Sequence, residues 1–254
     1  MPGRLLVGTS GWVYPHWRGV LYPPGLAARD WLPYYAERFA TVEINNSFYR
    51  LPAKAAFRGW RAAVPPSFTF AVKASRYLTH LKRLREPRAP LDRLLRRLRP
   101  LGPSLGPVLF QLPRHVHHDA RRLDTFLRAL ARQRLVPGLR ATLEVRHASW
   151  LTPAATDRLA AAGVALCFHD ARVQPVTEPV TADFVYVRRH GTTRRLRGSY
   201  TEPMLRADAA RIRAWLAHDL DVYVYFNNDG GGMAVRNAER LLTILDQETL
   251  VRAA

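Results

Sequence analysis

Cysteine, long apolar runs and targeting segments are scarce or missing in this sequence. Its 254 residues include one cysteine, Cys167, so no disulfide can form within the chain and no zinc site can be built from cysteines. Such usage is typical of a reducing compartment, and we expect a cytoplasmic protein. No apolar run approaches the ~20 residues that span a bilayer, and Leu5 to Val7 is too short for a signal-peptide core. We therefore expect no membrane partner.

Acidic residues and lysine are also in short supply. Lys and Arg total 39 against 20 Asp and Glu, which gives a net charge of +19, and all but three of the cations are arginines. Arginine pairs bidentately with phosphate, so a nucleic acid or phosphorylated partner is one interpretation. A general replacement of lysine by arginine explains the choice of cation equally well, but it does not explain the surplus over acids. The 48% hydrophobic content argues against disorder.

The hydrophobic pattern predicts an α/β fold with eight strands. Strand-like runs lie at 5–10, 41–45, 68–74, 107–113, 141–147, 165–170, 184–191 and 221–229, and the clearest helical patterns at 90–99, 119–132, 153–162, 203–218 and 235–247. Crossovers of helical length imply parallel pairing, and eight parallel strands in about 250 residues favour one (β/α)₈ TIM barrel over residues 1–254. Extended loops after strands 1, 3 and 7 make it irregular. An open doubly wound sheet is the alternative, but no glycine-rich fingerprint follows the first strand.

Polar residues stand at the carboxyl ends of seven of these predicted strands. In a TIM barrel these ends form the rim that carries the active site, so we expect a binding or catalytic site there. The residues expected to act in catalysis are Glu43, Lys73, Glu144, Asp170 and His190. Those expected to contact the substrate are Trp12, Tyr14, Asn45, Tyr49, His80, Gln111, Arg146, Arg188, Asn227, Asn228 and Asp229. Structural ion pairing, as between Glu144 and Arg146, is the alternative for any single residue.

Several chemistries fit these residue types. Glu43 and Glu144 resemble the carboxylate pair of glycoside hydrolysis, but strands two and five are expected to lie too far apart. A divalent metal is an open possibility because carboxylates and histidines are suitable ligands, although no local ligand motif of the H-E-x-x-H type is present. Ser10 and Cys167 lack the motif of an activated nucleophile. The metal and the reaction therefore stay undetermined.

Phosphate recognition is predicted beside the last two strands. Strand eight runs into Gly230 and Gly231 ahead of a helix, where barrels commonly hold phosphate on backbone amides. Arg194, Arg195 and Arg197 follow strand seven and are predicted to bind the same group. The loop after strand three is also basic. Aromatic residues that follow strands one and two would offer planes on which bases or sugars stack, and the alternative is that these rings cap the barrel core.

These motifs resemble the YecE-like family, a domain of unknown function numbered 72. The resemblance is carried by Gly8–Trp12 with Tyr14, Trp17 and Tyr22, by Val42–Asn45 with Phe48–Pro52, by Val72–Ala74, Thr79–His80, Gln111–Pro113, Glu144–His147, Asp170, Tyr186–Arg188, His190–Gly191 and Tyr225–Asp229. It covers essentially the whole chain and implies a TIM barrel. It supplies no reaction, and the multi-histidine metal pattern of similar barrels is not evident in this sequence.

Three functions follow as hypotheses. The first is a nucleic-acid-directed protein of the phosphodiesterase or nuclease type. The second is an isomerase, lyase or hydrolase of a small phosphorylated sugar, and the third is a nucleic-acid binder without catalysis. Each has a phosphate-bearing partner, and the sequence leaves the oligomeric state open.

Overall fold

The computed structural model describes residues 3–171, 176–193 and 198–253. The strands are β1 Leu5–Thr9, β2 Thr41–Ile44, β3 Thr69–Lys73, β4 Leu105–Gln111, β5 Ala141–Glu144, β6 Ala165–Leu166, β7 Phe168–His169, β8 Phe184–Arg189 and β9 Asp221–Phe226. The helices are α1 Trp31–Ala36, α2 Asn46–Tyr49, α3 Lys54–Ala62, α4 Arg88–Leu98, α5 Ala120–Arg132, α6 Pro153–Ala161, α7 Glu202–Ala217 and α8 Met233–Ala253. Every predicted strand is present.

All strand ladders are parallel, as the long crossovers require. One sheet has the order β1-β9-β8-β7 and the other β2-β3-β4-β5-β6. The predicted sixth strand, 165–170, divides at Cys167: β6 pairs with β5, while β7 pairs with β8. This single segment therefore joins the two sheets on one side.

The two sheets also meet between β1 and β2. Among the described residues they are connected there by an isolated parallel bridge of Ser10 with Glu43, and the Gly11 N–H donates to the Glu43 carbonyl at 2.8 Å. Gly8 permits this approach, because an added Cβ would lie 2.1 Å from the Thr41 carbonyl oxygen. The neighbour relations thus run in a ring through all the strands, and the carboxyl ends face one rim.

The alternation of side chains along the strands separates two apolar cores. A smaller cluster lies on one face of the strands and includes Leu6, Ala71, Leu109, Tyr186 and Tyr225. The larger cluster lies between the other face and the helices. Arg188 follows Tyr186 by two residues, so it continues the inner column upward to the rim. The fold therefore supports the rim charges on a packed layer of tyrosines.

Several element boundaries differ from the sequence prediction. The fourth strand begins at Leu105 rather than 107, and the last helix begins at Met233 rather than 235. The short helices α1 and α2 and the amphipathic helix α3 were not predicted. Among the residues described, no helix is long and apolar enough to cross a membrane.

Candidate functional site

Arg188 is the centre of the rim. Its Nε and Nη2 donate to the two carboxylate oxygens of Glu43 at 3.0 and 2.9 Å, and its Nη1 donates to Glu144 at 2.7 Å. Ser10 and Tyr186 donate their hydroxyls to Glu43 at 2.7 and 2.6 Å. Both carboxylates are fully buried, and Arg188 is 1% exposed. All these groups are paired, as buried charges must be.

One expectation from the sequence is wrong here: strands two and five were expected to hold their carboxylates too far apart to act together. In the structure, a single guanidinium bridges Glu43 and Glu144. The reason is that both side chains point inward, so the long arginine side chain spans the space between them. The carboxylates are neighbours, but Arg188 occupies the space where a substrate would lie.

Glu144 also binds Arg146, which reaches the surface. Arg146 donates from Nε to Glu144, and its side chain is 20% exposed. Burial alone would raise the pKa of Glu144, but Arg146 and Arg188 hold it well below its ordinary value of 4.5. Glu144 is therefore a carboxylate at neutral pH. Its charge anchors the two arginines.

His190 extends the network toward the end of β9. Arg146 Nη2 lies 2.9 Å from His190 Nε2, and because a guanidinium only donates, Nε2 is the acceptor. Burial, with Arg188, lowers the pKa of His190 well below 6.5, so the ring is neutral and carries its proton on Nδ1. The side-chain amide of Asn227 lies 3.2 Å from that nitrogen, and its oxygen must face Nδ1–H to accept the hydrogen bond. These contacts fix the orientation of Arg146.

Asp170 is predicted to be catalytic, and it lies below this network. It accepts from the His190 backbone N–H at 2.7 Å and from the Tyr200 hydroxyl. Tyr200 in turn accepts from the Gly191 N–H at 2.7 Å. The carboxylate therefore ties the end of β8 to the segment that precedes α7. This arrangement gives Asp170 the geometry of a positioning residue.

Lys73 differs from the other rim charges. Its side chain forms no ion pair or hydrogen bond with any residue that the structure describes, and its ammonium lies 4.3 Å from the centre of the Phe48 ring. Burial, together with Arg188, lowers the pKa of Lys73 to about 8. Its carbonyl accepts a 2.7 Å bond from Ser47, which fixes the backbone. Lys73 is thus an isolated cation on a fixed stem.

Polar side chains surround Lys73 on the same rim. His80 contacts Phe48 edge-on, and its Nδ1 lies 2.9 Å from Thr79 Oγ1. Burial and Lys73 lower the pKa of His80 to about 4, so the ring is neutral. Within the described ranges, the side chain of Gln111 bonds only to the neighbouring Leu112 carbonyl. The buried amide oxygen of Asn45 has no partner among the described residues.

The glycine turn after β9 carries a carboxylate of its own. Asp229 accepts from the Trp17 indole and lies 2.9 Å from His16 Nε2. A phosphate on Gly230 and Gly231 would meet this negative charge at the start of α8. Asn228 is buried and donates to the Gly198 carbonyl. The predicted phosphate ligands Arg194, Arg195 and Arg197 lie outside the described residues.

Two of the predicted substrate-binding aromatics are already engaged near the rim. Trp12 is 6% exposed and packs edge-on against Trp60 at 5.3 Å. The Tyr14 hydroxyl donates to the Ser10 carbonyl at 2.7 Å. These contacts match the alternative in which such rings cap the core. Tyr49, by contrast, is 76% exposed.

A large cleft opens beside Lys73 and was not predicted. It has a volume of about 1030 Å³ and lies between α2, α3 and α4. Three arginines line it, Arg50, Arg93 and Arg97, together with the exposed Tyr49 and Tyr77. None of these arginines forms an ion pair with a residue in the described ranges. The sequence predicted a helix over 90–99, but not that one of its faces opens into a cleft.

A metal site is not evident in the part of the chain that is described. No group of three or more His, Cys, Asp or Glu side chains there has a metal-binding arrangement.

Comparisons with known proteins place these features in a family. The protein is 26% identical to the UPF0759 protein YunF of Bacillus subtilis (strain 168), over 96% of this chain and 95% of that protein. It superposes on a DUF72 family protein from Thermotoga maritima MSB8 with a TM-score of 0.84 and 27% identity, over 96% of this chain and 99% of that chain. A xylose isomerase-like TIM barrel/4-hydroxyphenylpyruvate dioxygenase fusion protein shares only the fold, with a TM-score of 0.51 and 14% identity over 99% of this chain and 44% of that one.

The predicted TIM-barrel architecture and the resemblance to a family of unknown function are both confirmed. The family model described as "Protein of unknown function DUF72" matches residues 6–254. The chain therefore belongs to the DUF72 family.

Proposed function

We propose that the protein binds a phosphate-bearing strand, single-stranded nucleic acid in particular, in the cleft beside Lys73. The observation that carries the proposal is the lining of that cleft. Three arginines without acidic partners among the described residues lie alongside two exposed tyrosines. Proteins that bind single strands combine a cationic groove for phosphates with aromatic rings on which bases stack. The cleft offers both.

The rim extends this binding surface toward Arg188. Lys73 and the exposed edge of Arg146 are the cations that a phosphate entering from the cleft would meet. Glu43 and Glu144 are fully buried and bound to arginines, so they support these cations and do not contact the ligand. Phosphodiester hydrolysis is the reaction that this arrangement favours, since Lys73 and Arg146 would stabilise the negative charge that develops on phosphate.

The test is a binding measurement with two variants of equal charge. Fluorescence anisotropy with a labelled single-stranded oligonucleotide would compare the cleft variant R50Q/R93Q/R97Q with R121Q/R128Q/R132Q on the exposed face of α5. Both variants lose three positive charges. We expect the cleft variant to weaken binding by about tenfold or more, because it loses direct phosphate contacts. We expect the α5 variant to stay within about twofold.

Equal weakening by the two variants would overturn the proposal, because it would show that only the overall charge attracts the strand. A duplex of the same sequence serves as the ligand control. Its bases are stacked on one another and cannot stack on Tyr49 and Tyr77, so we expect the duplex to bind more weakly than the single strand.

A further inference from the structure

Lys73 does not itself line the cleft, but its nitrogen lies over Phe48, which stands between the cleft residues Asn46 and Tyr49 in α2. It is the last residue of β3, and the cleft residue Ser75 follows two positions later. The side chain of Lys73 as a whole is partly exposed. Every other charge of the rim centre is paired. The amine is therefore the reactive group left available.

The surroundings of Lys73 make its ammonium less stable than that of an exposed lysine. Burial removes water from the charge, and Arg188 and Arg146 repel it, while the negative charges of Glu43 and Glu144 already bind those arginines. The pKa of about 8 leaves a substantial neutral fraction near neutral pH. A desolvated lysine next to another cation is the arrangement that activates an amine for attack on a carbonyl.

We propose that Lys73 is a nucleophile that forms an imine with the aldehyde of a phosphate-bearing sugar. The inference rests on the proposed phosphate binding, which brings the sugar to the rim. Two sources share this chemistry: an abasic deoxyribose within a nucleic acid strand and a free sugar phosphate. In both, the cations of the cleft and Arg146 hold the phosphate while the open-chain aldehyde reaches Lys73.

The step balances without an oxidant or a metal. The lone pair of neutral Lys73 Nζ attacks the carbonyl carbon, and the π electrons move to the oxygen. Transfer of one proton from nitrogen to that oxygen gives a carbinolamine. The carbinolamine then loses its hydroxyl as water with the second nitrogen proton, and a carbon–nitrogen double bond remains. Protonation of the imine gives the cation that a hydride donor reduces irreversibly.

The composition of the chain makes the test sharp, because Lys54, Lys73 and Lys82 are its three lysines. Lys54 is exposed, and Lys82 is bound to Glu86 with its side chain 35% exposed, so both serve as internal controls. The protein is incubated with sodium cyanoborohydride and either a single-stranded oligonucleotide with one abasic site or ribose 5-phosphate. Peptide mass mapping then measures the reduced adduct on each lysine.

We expect at least about tenfold more adduct on Lys73 than on either control lysine, with one or both probes. The probe that reacts identifies the source of the aldehyde. K73R removes this adduct, whereas K82R leaves it unchanged. An unmodified oligonucleotide and ribose without phosphate give no selective adduct.

If the amount of adduct on each lysine followed its exposure, with more on Lys54 than on Lys73, the imine proposal would be overturned. The absence of adduct with both probes would overturn it too. The wild-type map decides the matter even if K73R does not fold. Oligonucleotide anisotropy, measured on the same wild-type protein without reductant, reports the proposed binding separately. Binding without adduct therefore contradicts only the imine, whereas loss of strand binding contradicts the proposed function.

Discussion

The buried centre of the rim and the cleft beside it are both rich in arginine, but their charges are used in opposite ways. Arg188 is enclosed and shared between two carboxylates. Arg50, Arg93 and Arg97 line open space, and none of them pairs with an acid among the described residues. Desolvated charges require partners in the protein, whereas exposed charges are solvated by water and stay available to bind a ligand. The net charge of +19 is therefore informative only where the cations are unpaired.

Lys73 lies at the boundary between these two regions. Like the charges of the rim centre, it is largely buried, and like the cleft arginines, it has no acidic partner among the described residues. That combination accounts for its lowered pKa and for the reactivity proposed above. Substitutions in the two regions should therefore have different effects: those in the centre should alter stability, and those in the cleft should alter binding.

Removal of Arg188 should cost the most stability. Arg188→Met leaves Glu43 and Glu144 buried and without their main counter-charge, so we expect a loss of about 3–5 kcal/mol in the free energy of unfolding. Urea denaturation followed by circular dichroism measures it. Arg128→Met, at an exposed position of α5, is the control and should change stability by at most about 0.5 kcal/mol. A loss below about 1 kcal/mol for Arg188→Met would show that the network is not what holds the centre together.

Removal of an aromatic ring from the cleft should affect binding and leave folding intact. Tyr49 is 76% exposed, so Tyr49→Ala removes little buried surface. If a base stacks on this ring, the variant should lose about 1–3 kcal/mol of affinity for a single-stranded oligonucleotide. Anisotropy gives the affinity, and a thermal melt confirms the fold. Tyr34→Ala, in α1 and outside the cleft lining, is the control, and unchanged affinity in Tyr49→Ala would argue against stacking at this position.

The charge of Lys73 should give strand binding a dependence on pH. Its pKa of about 8 lies below the ordinary 10.5, so the folded protein loses this charge as the pH rises through 8. Strand affinity should therefore fall by about three- to tenfold between pH 7 and pH 9, the contribution of one phosphate contact. K73R keeps its charge and should show no such fall. The groups that face Lys73 are Arg146, Arg188, Glu43, Glu144 and His80.

The titration of Lys73 should change protein stability in the opposite direction to strand affinity. Between pH 8 and 10.5 the unfolded chain holds the Lys73 proton more tightly than the folded chain does. The free energy of unfolding therefore rises with pH across this window. If wild type and K73R showed the same profile, Lys73 would not be the titrating group.

Much of the fold could be predicted from the sequence, because parallel strands with apolar faces and helical crossovers leave few arrangements. The strand ends were predicted to meet at one rim, and Glu144, Arg146, Arg188 and His190 do lie in contact. The pairing of Glu144 with Arg146 was one of the alternatives that the sequence offered, but the bridge that Arg188 makes between Glu43 and Glu144 could not be predicted. It depends on how far a buried arginine side chain reaches across the ring, which residue spacing does not encode.

The cleft escaped prediction for a related reason. It is formed by α2, α3 and α4, which approach one another only after the sheet has folded. Short helices such as Asn46–Tyr49 have too few residues to show a period. The helix predicted at 90–99 corresponds to α4, and tertiary packing decided that one of its faces stays open. Partner and reaction depend on such open surfaces, so they could not be read from composition alone.

The salt dependence of strand binding tests the central claim most directly. The logarithm of the association constant, plotted against the logarithm of salt concentration, has a slope set by the number of phosphates that the protein contacts. The account predicts that R50Q/R93Q/R97Q flattens this slope by about 2 relative to wild type, the contribution of three single-strand phosphate contacts. The α5 variant R121Q/R128Q/R132Q should keep the wild-type slope. A wild-type slope in the cleft variant, or equal flattening in both, would contradict the account.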